Sequence, residues 1–169
     1  MKSIHVRLFA LILVVVGLGA AVIVSQPVSA QCIPSAIGGP GDDTIICEGD
    51  LGLDVDGDLD VQVGDAVGSG DDTIIINGDQ WIVTGEYVWS DTGMALAVGN
   101  DLIINNAWLW EIWGDYAVAL TGDAWASGND RIFNNDYSDW IAGDYAFSSD
   151  GTAGAGGSDQ IYNNGGAFE

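Results

Sequence analysis

The chain has 169 residues, with 25 Asp and Glu against three Lys and Arg and a formal net charge of −22. A surface of that sign disfavours nucleic acid and anionic membrane as partners and favours cations. High acidity with few hydrophobes would signal disorder, but here the acids are set among Ile, Val, Trp and Tyr at recurring positions, so a folded array is expected.

Residues 1–30 read as an address label. Lys2 and Arg7 flank the start of an apolar run over residues 8–24, and Val28-Ser29-Ala30 supplies a small-residue cleavage site. Cleavage there predicts a secreted, extracellular chain beginning at Gln31. The alternative is an uncleaved membrane anchor through residues 8–24, a run slightly long for a signal peptide and short for a membrane span. A lipoprotein would need a small residue where Gln31 precedes Cys32. Loss of residues 1–30 leaves Arg131 as the only basic side chain and a net charge of −24.

Residues 31–40 form a short N-terminal segment. The two cysteines, Cys32 and Cys47, make an even count in a secreted chain and predict one disulfide. It would clip this segment to the first repeat and stabilise by about 3 kcal/mol in the loop-entropy model. A metal-binding cysteine pair would need further Cys or His ligands.

From residue 41 to 169 the sequence repeats. GDDTII starts at Gly41 and Gly70, GNDLII at Gly99, GNDRIF at Gly128 and GSDQIY at Gly157, each 29 residues after the last. Fixed spacing marks stacked units that bury a face only against their neighbours. Further positions recur in register: Gly85-Glu86-Tyr87, Gly114-Asp115-Tyr116 and Gly143-Asp144-Tyr145, then Gly93, Gly122 and Gly151, then paired alanines from Ala95 onward. The first unit carries the acidic run 54–60 in place of the Tyr segment and reads as divergent or capping.

Within a unit, short alternating runs lie between Gly, Asn and Asp, as strands between turns do. Strands are predicted at residues 73–76, 81–83 and 87–90, with a short fourth at 95–97. The predicted fold is all-β: a parallel β-solenoid, β-helix or β-roll-like, of about four to five 29-residue coils. Equivalent residues then stack about 4.8 Å apart as columns. Ile45, Ile74, Ile103, Ile132 and Ile161 should face inward, and Ile46, Ile75, Ile104, Phe133 and Tyr162 outward. Asn105, Asn134 and Asn163 should face in as a hydrogen-bonded ladder. Tyr87, Tyr116 and Tyr145 read as core with hydroxyls at the rim, or else as an exposed strip.

Gly38-Gly39-Pro40-Gly41-Asp42-Asp43-Thr44-Ile45-Ile46 matches the nonapeptide GGxGxDxUx throughout, and the copy ending in Asp71-Asp72-Thr73-Ile74 matches all but its first Gly. The later copies keep the half around Asn100-Asp101, Asn129-Asp130 and Ser158-Asp159. These turns resemble the RTX, or haemolysin-type, calcium-binding repeats. The resemblance implies Ca²⁺ held between successive turns by backbone carbonyls and Asp carboxylates. Its ligands here would be Asp42, Asp43, Asp71, Asp72, Asn100, Asp101, Asn129, Asp130 and Asp159, with the best sites near Asp43 and Asp72. The chain departs from that family in having one nonapeptide per 29 residues and an N-terminal rather than C-terminal export signal.

Electrostatics point the same way without the family. Stacked carboxylates about 4.8 Å apart repel by roughly 0.9 kcal/mol per pair in bulk water and by about 3.5 kcal/mol at an effective dielectric of about 20. Glu86, Asp115 and Asp144 form a second acidic column, and one arginine cannot balance both. The competing reading is that Gly, Asn and Asp simply form good turns on a solvated corner.

No catalytic residues are assigned. Beyond residue 30 there is no His and no Lys, and each acid is accounted for by the repeat. The expected function is a secreted calcium-binding repeat protein with a structural or adhesive role. The alternative is a β-helix that binds or acts on carbohydrate without a metal. Calcium ions, a cell-surface or polysaccharide contact, and self-association through the edge of the incomplete fifth coil are the expected partners. Intact mass of the exported protein is expected to show loss of residues 1–30; a chain still starting at Met1 would establish the anchor instead.

Overall fold

A computed structural model describes residues 31–166 of the protein; residues 1–30, on which the signal-peptide reading falls, and 167–169 lie outside it. The described chain is all-β. The repeated phrase ends at a short strand in every unit: β2 (Thr44–Glu48), β5 (Thr73–Ile76), β8 (Leu102–Asn105), β11 (Arg131–Asn134) and β14 (Gln160–Asn163). A long strand follows: β3 (Asp54–Gln62), β6 (Ile82–Ser90), β9 (Leu109–Ala119) or β12 (Ser138–Ser148). A third, short strand closes each coil: β4 (Ala66–Gly70), β7 (Ala95–Gly99), β10 (Ala124–Gly128) or β13 (Ala153–Ala155).

Each coil gives one strand to each of three sheets. The first sheet runs β2-β5-β8-β11-β14, the second β3-β6-β9-β12 and the third β4-β7-β10-β13, all parallel. The result is a parallel β-solenoid of about four turns. Register follows the repeat, with Ile74 opposite Ile45 and Ile103, and Tyr116 opposite Tyr87 and Tyr145. One departure occurs in the first coil, where Val55 pairs Val83 and Asp58 pairs Glu86, offsets of 28 residues. The coil is one residue short there and regains the 29-residue register at Ala66–Ala95.

The N-terminal strand β1 (Gln31–Ile33) runs antiparallel to β2 and so covers that end of the first sheet. Cys32 lies directly across from Cys47, and the two are disulfide-bonded. The opposite edge strand, β14, is exposed along its length, so Ile161 of the inward column is 43% accessible.

Two separate apolar cores fill the coils. Ile45, Ile74, Ile103 and Ile132 pack with Val55, Val83 and Ile112 between the first and second sheets. Ala66, Ala95, Ala97, Ala124 and Ala126 pack with Val88, Ala117 and Ala119 between the second and third. The two cores differ in side-chain size, so the sheets approach more closely on the alanine side. Each long strand spans both: in β6, Val83 enters the isoleucine core and Val88 the alanine core.

Between those cores the inward–outward alternation resets, and a glycine marks the place. Residues 81–83 and 87–90 were expected as two strands; they join as β6 because Gly85 bends the strand without ending it. Its lack of a side chain is required: a Cβ on Gly85 would lie 1.8 Å from Asp101 Oδ2 and 2.4 Å from the Gly114 carbonyl. The reset turns Tyr87, Tyr116 and Tyr145 outward rather than into the core. Their rings stack at 5.2 and 4.9 Å on the outer face, with Trp113 packed against two of them. The tyrosines thus bury area by covering one another.

Asn105 and Asn134 are buried as expected, whereas Asn163, at the end of their column on the edge strand, is exposed. Asn105 donates to Asn134 Oδ1 at 2.7 Å, and Asn134 to Asn163 Oδ1 at 2.9 Å. The glycine bend yields a mutational test. Gly114→Ala, whose Cβ would meet Asp130 Oδ2 at 1.8 Å, should lower stability in chemical denaturation by about 1–3 kcal/mol. Gly39→Ala, with open space around it, should change it by less than about 0.5 kcal/mol.

Candidate metal centre

Turn and strand bring two acidic columns to the junction of the two cores. The first comes from the repeated turn. Asp43, Asp72, Asp101, Asp130 and Asp159 each stand two residues after the glycine of the repeated turn, and for Asp72, Asp101 and Asp130 that glycine is the last residue of a strand of the third sheet. Each of the last four uses Oδ1 to accept the backbone N–H of its counterpart one coil earlier. The distances are 2.7 Å from Asp43, 2.8 Å from Asp72, 2.8 Å from Asp101 and 3.0 Å from Asp130. The recurring Asp is therefore a rung that ties coil to coil. It also has an oxygen left over: Oδ2 of Asp72, Asp101 and Asp130 is buried and has no hydrogen-bond partner.

The second column comes from the long strands, directly after the glycine bend: Asp58, Glu86, Asp115 and Asp144. Glu86 and Asp115 are fully buried, and among the described residues no donor reaches either oxygen of either carboxylate; Asp144 is half-buried, with the Gly128 N–H beside it. Asp58 commits Oδ2 to the Ser69 N–H at 2.9 Å and keeps a buried Oδ1 without a donor among the described residues.

The two columns meet. Oxygens of Asp72, Glu86 and Asp101 lie within 4.8 Å of one another, as do those of Asp115, Asp130 and Asp144. Glu86 also stands within hydrogen-bonding reach of Asp101 and Asp115, and Asp115 of Asp144. Ionised carboxylates only accept hydrogen bonds, so such contacts need a proton or a cation between them. Burial raises the carboxyls of Asp72 and Asp144 to about 6 and those of Asp101, Asp115 and Asp130 to about 7. Burial, followed by contact with Asp115 and Asp101, holds Glu86 far above the usual carboxylate range.

The nine turn residues expected as ligands separate by position. Asp72, Asp101 and Asp130 reach the buried junction. Asp43 is half-buried at its N-terminal end, with Oδ2 accepting the Gly39 N–H at 2.6 Å. Asp159 is exposed at the other end, though its Oδ1 still holds the Asp130 N–H. Asp42, Asp71, Asn100 and Asn129 stand on the outer surface and form their own ladder. Asn129 donates to Asn100 Oδ1 and Asn100 to Asp71 Oδ1, both at 2.9 Å, while the Asp71 N–H reaches Asp42 Oδ1 at 3.1 Å. That ladder lines an open groove beside Gly70, Gly99 and Gly128.

Sequence reasoning marked Glu86, Asp115 and Asp144 as an acidic column but did not count them among the ligands. Asp58 was hidden by the one-residue shortening of the first coil. Aligning on the inward residue three positions earlier (Val55, Val83, Ile112, Ile141) would have revealed it.

Comparison of the chain with known protein families, curated proteins and solved structures finds no match.

The chemistry of the junction suits a hard cation. Every ligand atom is an oxygen, and the orphaned atoms are anionic acceptors that converge from two directions, which fits a hard cation better than a metal that prefers nitrogen or sulfur. The raised pKa values set a pH dependence. A carboxyl that titrates near 6–7 when folded and near 4 when unfolded keeps its proton in the folded state over that interval. Without divalent ions, stability should be greatest below about pH 4 and fall as pH rises through 7. Melting temperatures in chelator are expected to drop from pH 5 to pH 8, with the drop removed by millimolar calcium; a rise in chelator would contradict it.

Proposed function

We propose that the protein is a secreted calcium-binding repeat solenoid with a structural or adhesive role, whose ions lie inside the coils. The observation that carries this is the set of buried carboxylate oxygens without donors among the described residues, at the six carboxylates of the two groups, Asp72, Glu86, Asp101, Asp115, Asp130 and Asp144, with Asp58 Oδ1 beside them. Each ion taken out of water costs several kcal/mol even after relaxation. Six such costs exceed the 5–15 kcal/mol that typically stabilises a whole domain. The carboxylates must therefore be neutralised, by protons or by cations. The only basic side chain beyond residue 30, Arg131, is exposed and lies over the Phe133 ring.

Calcium is the preferred ion for three reasons. It accepts irregular all-oxygen shells at 2.3–2.6 Å, whereas magnesium demands a near-ideal octahedron. The coil spacing is set by the sheets, so the ligands cannot rearrange freely. Extracellular calcium modules commonly work at about 10⁻⁴ to 10⁻³ M, which matches export predicted from residues 1–30 and supported by the Cys32–Cys47 disulfide. Occupied sites would stabilise the solenoid by mass action.

Calcium titration of the exported protein, followed by far-UV circular dichroism and thermal melting, tests this. Asp72→Ala and Asp101→Ala should each weaken the calcium-dependent rise in melting temperature. Asp150→Ala, exposed and outside the columns, should leave it unchanged. Equal melting temperatures in chelator and in millimolar calcium would overturn the proposal.

A further inference from the structure

Two three-acid groups could each hold one ion independently, but their arrangement argues against separation. Asp72, Glu86 and Asp101 form one group, and Asp115, Asp130 and Asp144 the other. Asp101 of the first and Asp130 of the second are neighbours in one column, joined by the Asp101 N–H to Asp130 Oδ1 bond of 2.8 Å. Glu86 is the longest member of its column. Its Oε1 lies 2.3 Å from where a Cβ on Gly99, at the end of the third strand of its own coil, would stand, and its carboxylate lies beside those of Asp101 and Asp115. No gap in the row of carboxylates separates the groups.

The two columns also offer different valences. Asp72, Asp101 and Asp130 each commit Oδ1 to a backbone N–H and keep one oxygen free. Glu86 and Asp115 keep both, while Asp144 has the Gly128 N–H beside it. A carboxylate with two free oxygens, in a stack of about 4.8 Å repeat, can hold one cation with each. Charge gives a further constraint. One divalent ion in each group would leave two of the six negative charges in the two groups unbalanced, whereas three ions would balance those six; the buried Asp58, next in the strand column, adds a seventh at the N-terminal end. Asp101, Asp115 and Asp130 interact electrostatically with one another across the boundary of the two groups, and a third ion would lie among them.

We propose that these six residues act as one binding unit, holding three divalent cations in a file bridged by the strand carboxylates, with Glu86 and Asp115 joining successive ions. This rests on the cation-binding reading above and adds the number of ions and their coupling. The buried, donor-free Glu86 and Asp115 side chains are the second observation that distinguishes the row from an ordinary acidic cluster.

The test counts bound calcium per chain by native mass spectrometry and equilibrium dialysis on the exported protein. The wild type is expected to hold three ions that survive Asp42→Asn and Asp71→Asn, which alter only the outer ladder. Glu86→Gln should remove at least two ions together. Glu86→Asp keeps the charge but shortens the reach, so it should release the shared middle ion while the first group keeps its own. Circular dichroism in calcium checks folding of each variant, and the Glu86→Asp count stands if Glu86→Gln does not fold. Two ions in the wild type with only one lost in Glu86→Gln would establish independent sites and overturn the file. No ion in the wild type would overturn the cation-binding reading itself.

Discussion

Carboxylates buried at the seam between two apolar cores are the constraint on which the rest of this solenoid depends. The isoleucine core and the alanine core are each unremarkable, but the line between them carries Asp72, Glu86, Asp101, Asp115, Asp130 and Asp144 with oxygens that no donor reaches. Hydrophobic burial on either side draws the sheets together, and the same closure strips water from the acids. Apolar packing and electrostatics therefore oppose each other along the whole length of the coil stack. Whatever neutralises the acids decides which of them prevails.

The backbone is shaped to allow that seam. A glycine in each long strand resets the alternation, so Val83 and Val88 enter different cores while Glu86 points between them. The carboxylate of the following coil then rests against the bare Cα, as Asp101 does at Gly85 and Asp130 at Gly114. The outward consequence of the same reset is the tyrosine stack, which shields the sheet at the level where its inner side is polar. One residue type thus fixes the position of the acids inside and of the aromatics outside.

Coil-to-coil cohesion comes from ladders as much as from cores. The recurring Asp binds the preceding coil's backbone, Asn105 and Asn134 bond down their own column, and Asn106 and Asn135 do so on the outside. Because each rung uses the same atoms as the next, the coils act as a chain of nearest-neighbour interactions. The recurring Asp joins this mechanical role to the electrostatic one, with Oδ1 holding the stack and Oδ2 facing the seam. An Asn amide could supply the same Oδ1 acceptor to the backbone but would replace the anionic Oδ2 at the seam with a donor.

The sequence by itself determined the repeat length, the strand order within a unit, the inward isoleucine and asparagine columns and the cysteine pair. All of these follow from spacing and alternation, which a stacked fold converts directly into geometry. It also marked both acidic columns, because identical spacing makes them visible. Only the tertiary structure decided that the columns converge, since the distance between a turn residue such as Asp101 and a mid-strand residue such as Glu86 depends on how the sheets close around the seam. The same closure separated the adjacent acids of each turn, sending Asp72 inward to the junction and Asp71 outward to the ladder, and it turned the tyrosines out of the core. Local pattern fixes which residues share a column; the packing of two cores of unequal side-chain size fixes which columns meet.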